Sequence, residues 1–399
     1  LPTGRNFYSV DVRNLPTPTA WRIGFQSANL LLERHLQDHG DHLRRLGLSV
    51  WGTATMRTGG DDIAQAMALL GVRPVWATGS QRVADFEILP LSLLDRPRVD
   101  VTLRVSGFFR DAFANLIRLF DAAVQAVAEL DEPEELNPLA VRVREERQRL
   151  EAEGLDAEAA RRQAGWRVFG SKPGAYGAGL QGPIDERLWQ SRADLAEVYL
   201  NWGGYADGAE DAGTPARERF AQRLRTLQAV LQNQDNREHD LLDSDDYYQF
   251  QGGMLAAVES LGGQPAASYH GDHSQPDLPR IRTLKEELNR VVRARAANPK
   301  WIEGVKRHGY KGAFELAATV DYLFAFDATT HLIDDHQYAL LADAYLLDAA
   351  TREFVRQHNP DALREMTERL LEAQQRGLWA EPGAYREALE NLLLDIEEN

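Results

Sequence analysis

Side chains able to hold a metal or move protons gather in two stretches of the chain. From Asp235 to Asp246, six acids and one histidine fall within twelve residues, interleaved with Leu and Tyr. On a helix, His239, Asp243 and Asp246 stand at i, i+4 and i+7 and share a face, while Glu238, Leu241 and Leu242 share another. Imidazole with carboxylates is a donor set for a divalent cation. A histidine titrating near neutrality can also take protons from a ligand. The plainer reading is a solvated acidic helix start, which the neighbouring Tyr247-Tyr248 and Gly252-Gly253 make less apt. The second stretch, Tyr269-His270-Gly271-Asp272-His273, puts two histidines and an aspartate within four residues. It reads as a loop, either part of a metal site or capped by its own Asp and His. His35, His39 and His42 share a similar spacing, but Gly40-Asp41 should end the helix near His39 and leave a surface helix terminus.

A third segment could hold a ligand by its backbone. Five glycines occupy the thirteen residues from Gly170 to Gly182, with Lys172 and Tyr176 among them. Such a loop brings N–H groups close to a ligand, and Lys172 adds a cation for an anionic group. A cluster of structural turns is the alternative. Gly177-x-Gly179-x-x-Gly182 matches the dinucleotide fingerprint in form only, because no strand–helix–strand unit surrounds it. The arginines and lysines from Arg280 to Lys311, Lys300 among them, form a local cationic segment. It suits a polycarboxylate or acidic partner, or is ordinary helix-surface charge.

These segments must be positioned by an α/β framework. Leu48-Ser49-Val50-Trp51 reads as a buried strand. Ile63, Ala66, Met67 and Leu70 give a short helix after Gly59-Gly60, with Asp61 and Asp62 as first-turn acids. Pro74–Trp76 and Phe86–Ile88 look like strands. From Val99 to Ser106, apolar residues alternate with Asp100, Thr102 and Arg104, which predicts one buried face. A helix follows with Phe113, Leu116, Ile117, Phe120, Val124 and Val127 on one stripe. Beyond Asp131-Glu132-Pro133 the character changes. Residues 139–163 read as a charged helix or helix pair, strand signals become sparse, and helix starts are marked at Thr283, Asn298-Pro299 and Asn359-Pro360. The expected architecture is an α/β sheet-and-helix domain over 1–135, then a mainly α-helical domain over 136–399 carrying the Gly-rich loop at 169–182.

Composition bounds the chemistry. The 399 residues contain no cysteine, which removes thiolate metal ligands and thiol nucleophiles. A net charge of −16 argues against general binding to nucleic acid or anionic membrane. No apolar run reaches membrane-spanning length and no signal-peptide pattern opens the chain, so a cytoplasmic protein is expected. The opening Leu1-Pro2-Thr3-Gly4, without methionine, reads as a piece of something longer.

Taken in order, several segments carry a resemblance. They are Leu1-Pro2-Thr3-Gly4-Arg5-Asn6-Phe7-Tyr8, Trp51-Gly52-Thr53 with Arg57-Thr58-Gly59-Gly60, Gly71-Val72-Arg73-Pro74-Val75 and Arg96-Pro97-Arg98-Val99-Asp100. Ser106-Gly107-Phe108-Phe109-Arg110-Asp111, Phe169-Gly170-Ser171-Lys172-Pro173-Gly174, the Asn236-to-Tyr248 stretch and Asn298-Pro299-Lys300-Trp301 follow. The chain resembles the C-terminal part of the large subunit of class I, ATP-dependent metal chelatases. It is nearest to the cobaltochelatase branch of aerobic cobalamin synthesis and further from the magnesium chelatase branch. The resemblance implies a subunit that binds a corrinoid, hydrogenobyrinic acid a,c-diamide, and inserts Co²⁺, its substrate metal. It implies an AAA+ ATPase subunit and a companion subunit as partners, with ATP hydrolysed on the partner and not bound here. Arg57, Arg110, Lys172, Tyr176, Arg237 and Lys300 then become expected contacts for the substrate. Glu238, His239, Asp243 and Asp246 become candidates for pyrrole deprotonation, and His239, Asp243, Asp246, His270, Asp272 and His273 for metal delivery. A His- and Glu-bearing segment of the family is expected to lie ahead of this sequence, so the piece alone is expected to be inactive. A magnesium-type large subunit acting on protoporphyrin IX and a non-catalytic tetrapyrrole-binding scaffold are the alternatives.

Overall fold

A computed structural model describes residues 10–398, so the Leu1-to-Tyr8 segment lies outside the described residues. It is a mixed α/β structure: a mainly parallel sheet in the first 280 or so residues, then a mainly helical region. The strands are β1 (Arg45–Val50), β2 (Val72–Trp76), β3 (Val83–Ile88), β4 (Asp100–Val105), β5 (Val168–Gly170), β6 (Tyr205–Asp207), β7 (Ala212–Pro215), β8 (Ala229–Gln234), β9 (Ala267–Asp272) and β10 (Arg280–Thr283). Eight of them form one sheet in the order β10-β9-β8-β1-β4-β5-β6-β7. The pairs β9–β8, β8–β1, β1–β4 and β4–β5 are parallel, whereas β5–β6 and β6–β7 are antiparallel. β2 and β3 make a separate antiparallel pair.

The alternation in β4 is real, but both of its faces are buried. Val101, Leu103 and Val105 join Leu46, Leu48 and Val50 of β1 in the main hydrophobic core. That core also takes Ala28 and Leu31 from α1 (Pro18–His39), Ile63 and Met67 from the helix after Gly60, and Leu116, Phe120 and Val124 from Ala114–Ala128. A central parallel strand is covered on both sides, so Asp100, Thr102 and Arg104 are buried as well. Asp100 is stable there because Arg167 binds it at 2.6 and 3.2 Å and Arg142 at 3.1 Å. Burial pushes its carboxyl up, but the arginines prevail and hold it at about 2.

Strands continue well past residue 135. β5 and β6 are three residues each, too short for a period-two signal, and β8 ends in buried Gln232, Asn233 and Gln234. The chain divides into two compact units. One takes the chain up to Leu180 with Ala193–Arg237 and Ala257–Arg282; the other takes Gln181–Arg192, Glu238–Ala256 and Thr283 onward. The second unit is helical, built on Tyr310–Thr330 and Pro360–Gln375. Its helix starts fall where the sequence marked them. Thr283 and Glu286 close a capping box, and Asn298 and Asn359 cap helices with proline in the first turn. Among the described residues, no helix is long and apolar enough to cross a membrane.

Candidate metal centre

Open α/β sheets bind ligands outside the carboxyl ends of their parallel strands. Here the ends of β1, β8 and β9 deliver three segments. After Val50 the chain forms α2 (Gly52–Thr58), turns at Gly59 and Gly60, and enters α3 (Asp61–Leu70). Gly59 and Gly60 are both left-handed, at φ 79° and 94°, a pair that favours glycine. This turn sets Asp61 and Asp62 at the first turn of α3, where the helix dipole favours negative charge. Both are buried. Thr58 donates its hydroxyl to Asp61 Oδ1 at 2.6 Å.

β9 brings His273 against them. His273 Nδ1 lies 2.6 Å from Asp61 Oδ2, and its Nε2 lies 2.8 Å from Ser27 Oγ on α1. Gln65 Nε2 donates to Ser27 at 2.9 Å. Asn233, near the end of β8, donates to Gln65 Oε1 at 2.6 Å and to Asp62 Oδ1 at 2.8 Å. Gly271 lets β9 pass this close, since a Cβ there would sit 1.9 Å from Asn233 Oδ1. Asp62 Oδ2 is buried without a hydrogen-bonding partner among the described residues. Ligand atoms of Asp61, Asp62 and His273 all lie within 4.8 Å of one another.

The charge state follows from this geometry. Burial, reinforced by the Asp61 charge, pushes the Asp62 carboxyl up to about 8. Burial alone would lower His273, but its bond to Asp61 more than offsets that and raises it. At neutral pH Asp62 therefore holds its proton beside the hydrogen-bonded Asp61–His273 pair. Loss of two protons leaves two carboxylates and a neutral imidazole, whose charge of −2 matches one divalent cation. Hard oxygens with one imidazole suit a first-row ion, and no thiolate is there to retain it.

Arginine-bound carboxylates lie at the same strand ends. Arg57 clamps Asp235 at 2.6 and 2.9 Å. Burial pushes Asp235 up, but this clamp holds its carboxyl below the ordinary value. Asp272 pairs with Arg237 and Arg282 and accepts from Ser274 Oγ at 2.7 Å. It too is lowered, against the effect of burial.

The expected loop at residues 269–272 is strand β9. Its pleat puts His270 and Asp272 on one face and Gly271 and His273 on the other, so the two histidines and the aspartate do not converge. The helical face expected for His239, Asp243 and Asp246 is also absent. Residues 237–244 are bends and turns, and the helix begins at Asp245 with Ser244 as its cap. Asp243 instead accepts from the Asp240 N–H at 2.8 Å and pairs with Arg295 at 3.3 Å. Short polar side chains compete with the helix for backbone groups in this way. Glu238 and His239 are exposed, and burial with the Asp245 charge raises Asp246 to about 6. Lys172 is exposed in the Gly-rich loop, Tyr176 donates to Asp111 at 2.8 Å, and Lys300 is exposed in a first helical turn. Gly40 ends α1 as expected, but His35 is buried against the Tyr269 hydroxyl at 3.3 Å rather than on the surface.

Ser27, Asp61, Asp62, Gln65 and Asn233 were not marked by sequence reasoning. The available signal was two adjacent acids directly after Gly-Gly, read only as complements to the helix dipole.

Comparison with known proteins gives a consistent picture. Residues 1–386 match the family model described as CobN/Magnesium Chelatase. The chain is 88% identical over 398 residues to the "Aerobic cobaltochelatase subunit CobN" of Pseudomonas aeruginosa, covering 100% of this chain and 32% of that protein. It is 32% identical over 402 residues to the "Magnesium-chelatase subunit ChlH, chloroplastic" of Oryza sativa subsp. japonica, covering 100% of this chain and 28% of that one. Among solved structures, the "Catalytic Subunit of Cobaltochelatase from Mycobacterium tuberculosis" superposes with a TM-score of 0.94 at 50% identity, over 100% of this chain and 33% of that one. The chain thus spans between 28% and 33% of the length of these relatives.

Proposed function

The chain belongs to the CobN/magnesium chelatase family, and from that premise we propose that it is the C-terminal part of the tetrapyrrole-binding large subunit of an ATP-dependent cobaltochelatase. Its substrates are then Co²⁺ and hydrogenobyrinic acid a,c-diamide. An AAA+ ATPase subunit and a companion subunit complete the assembly, and ATP is hydrolysed on the partner. The identity of 88% to a cobaltochelatase subunit, against 32% to a magnesium-chelatase subunit, supports the cobalt branch.

The observation that carries the mechanism is the buried cluster of Asp61, Asp62 and His273. Insertion requires a hydrated ion to exchange water for ring nitrogens while the ring gives up protons. Loading Co²⁺ on the cluster releases two protons, so two carboxylates and a neutral imidazole balance the ion's charge. As the ion leaves, Asp62 and His273 become proton acceptors, one for the inner proton the corrin gives up and the other for a proton from solvent. Arg57, Arg110, Lys172, Tyr176, Arg237 and Lys300 remain the proposed contacts for the polar arms of the corrin. Glu238, His239, Asp243 and Asp246 are proposed as a separate acidic path for the ion or for ring protons, with His270 and Asp272 supporting the strand end.

The test uses the full-length subunit with its ATPase partners, ATP, Co²⁺ and the diamide, followed by corrin absorbance. His273→Ala and Asp61→Asn should each slow insertion at least ~10-fold while corrin binding is kept. Insertion at the parent rate by both variants removes the cluster from the mechanism. A parent that binds no corrin removes the chelatase reading itself.

A further inference from the structure

The helical unit holds a cavity of about 410 Å³ that the chelatase chemistry does not use. One wall is a stripe of the helix Tyr310–Thr330: Phe314, Ala317, Asp321, Tyr322 and Ala325, at i, i+3, i+7, i+8 and i+11. The alanines leave room that longer side chains would fill. Glu365, Glu368 and Arg369, from the helix Pro360–Gln375, form a second wall. Asp185, Arg187 and Tyr248 complete the polar lining.

The charges of this lining do not balance. Four carboxylates, Asp185, Asp321, Glu365 and Glu368, stand against two arginines, Arg187 and Arg369. Both arginines are already committed. Arg369 donates to Asp321 at 2.8 Å and to the buried Glu372 at 2.8 Å. Arg187 pairs with Glu368 at 3.0 Å and with Glu372 at 3.3 Å. Asp185 is left with Arg369 at 3.9 Å, and Glu365 has no ion-pair partner among the described residues. Burial, then the Asp321 charge, holds both of these carboxyls above their ordinary values.

Tyr248 lines the same space at 2% exposure, its ring 6.1 Å from that of Tyr322. Its hydroxyl has no hydrogen-bonding partner among the described residues, yet it is not sealed from solvent. Burial raises this phenol and the charges of Asp185 and Asp321 raise it further, so it lies near the same carboxylates. A buried polar group left open in a native fold needs an explanation. The edge of the cavity is apolar: Phe314 is 54% exposed, and Tyr310, one turn earlier on the same helix face, is 65% exposed.

Among the described residues, only Asp61, Asp62 and His273 bring three donor atoms within 4.8 Å of one another, so the acids here do not converge on a metal ion. A guanidinium spans wider spacings. Its N–H groups reach separate carboxylates and its flat face stacks on tyrosine. A free small cation would leave Phe314 and Tyr310 uncovered, whereas a peptide would bury them.

We propose that this cavity receives an arginine side chain of a partner protein, with an apolar residue beside that arginine packing on Phe314 and Tyr310. The inference stands apart from the metal centre and does not rest on the chelatase reading.

The probe is the peptide Gly-Leu-Arg-Leu-Gly, blocked at both ends and carrying a neutral fluorophore, titrated with the full-length subunit by fluorescence anisotropy. It should bind at least ~10-fold more tightly than the same peptide with citrulline, which keeps the shape and loses the charge. Tyr248→Phe removes one hydroxyl and should weaken binding about fivefold. Glu365→Gln, at an exposed position, should weaken it about threefold. Agmatine, the free small cation, should compete at least ~10-fold less well than the unlabelled peptide. No binding of the peptide, or equal binding of the arginine and citrulline forms, overturns the proposal on the parent alone, even where a variant fails to fold. Unchanged affinity in both variants overturns it as well. Agmatine competing as strongly as the peptide overturns the docking surface in favour of a small-molecule site.

Discussion

Asp62→Asn separates the stability of the buried cluster from its use. The carboxyl is held at about 8 in the fold, against an ordinary 3.8. A raised acid stabilises the fold fully below its unfolded value and loses that contribution as pH climbs to the folded one. The loss follows the handful of pH units between the two values, so it is roughly 2 kcal/mol at pH 5 and about 4 kcal/mol at pH 7. Asparagine keeps the oxygen that accepts from Asn233 and has no proton to lose. Any offset from its unpaired amide is the same at both pH values. The stability gap between variant and parent should therefore move in the variant's favour by about 2–3 kcal/mol between pH 5 and pH 7, and flatten above pH 8. Denaturant midpoints of the two proteins, measured side by side across this range, give the gap directly. Calorimetry at pH 7 should show Co²⁺ affinity reduced at least ~10-fold, since one anionic donor is gone. A gap that does not change with pH would refute the assignment of a neutral, proton-holding Asp62.

Arg167→Met leaves the fully buried Asp100 with Arg142, and should cost about 3 kcal/mol in a denaturation experiment. Because Asp100 is held at about 2, its contribution is present above the ordinary 3.8 and is lost as pH falls through 2, so acid unfolding should begin at higher pH in the variant. Gly271→Ala would drive a Cβ into Asn233 Oδ1. It should cost about 2 kcal/mol or more and lower Co²⁺ affinity, both read on the same preparation. Arg57→Ala frees Asp235 from a clamp whose arginine is 42% exposed, so the stability loss should stay near ~1 kcal/mol. Adding Asp235→Asn should recover part of it.

The sequence carried the framework better than the chemistry. The period of two in β4 and the marked helix starts gave elements that the structure contains, because these patterns arise from local geometry. What the alternation could not show is that the polar face of β4 is buried too, since that depends on Arg142 and Arg167 arriving from elsewhere. The same limit applies to the metal centre. His273 was visible, but its partners come from α1, α3 and β8, up to 246 residues away in sequence. Spacing within one segment instead favoured His239, Asp243 and Asp246, whose helical face fails because Asp240 and Asp243 tie the turn locally and to Arg295. Arg110 was marked only through the family resemblance.

The central claim is that the cluster exchanges two protons for one divalent cation. Counting protons tests it most directly: Co²⁺ titrated calorimetrically into the full-length subunit, near neutral pH, in buffers of different ionisation enthalpy. The account predicts close to two protons released per ion bound in the parent, and one fewer in Asp62→Asn. Binding of Co²⁺ without proton release, or with the same release in both proteins, would contradict it.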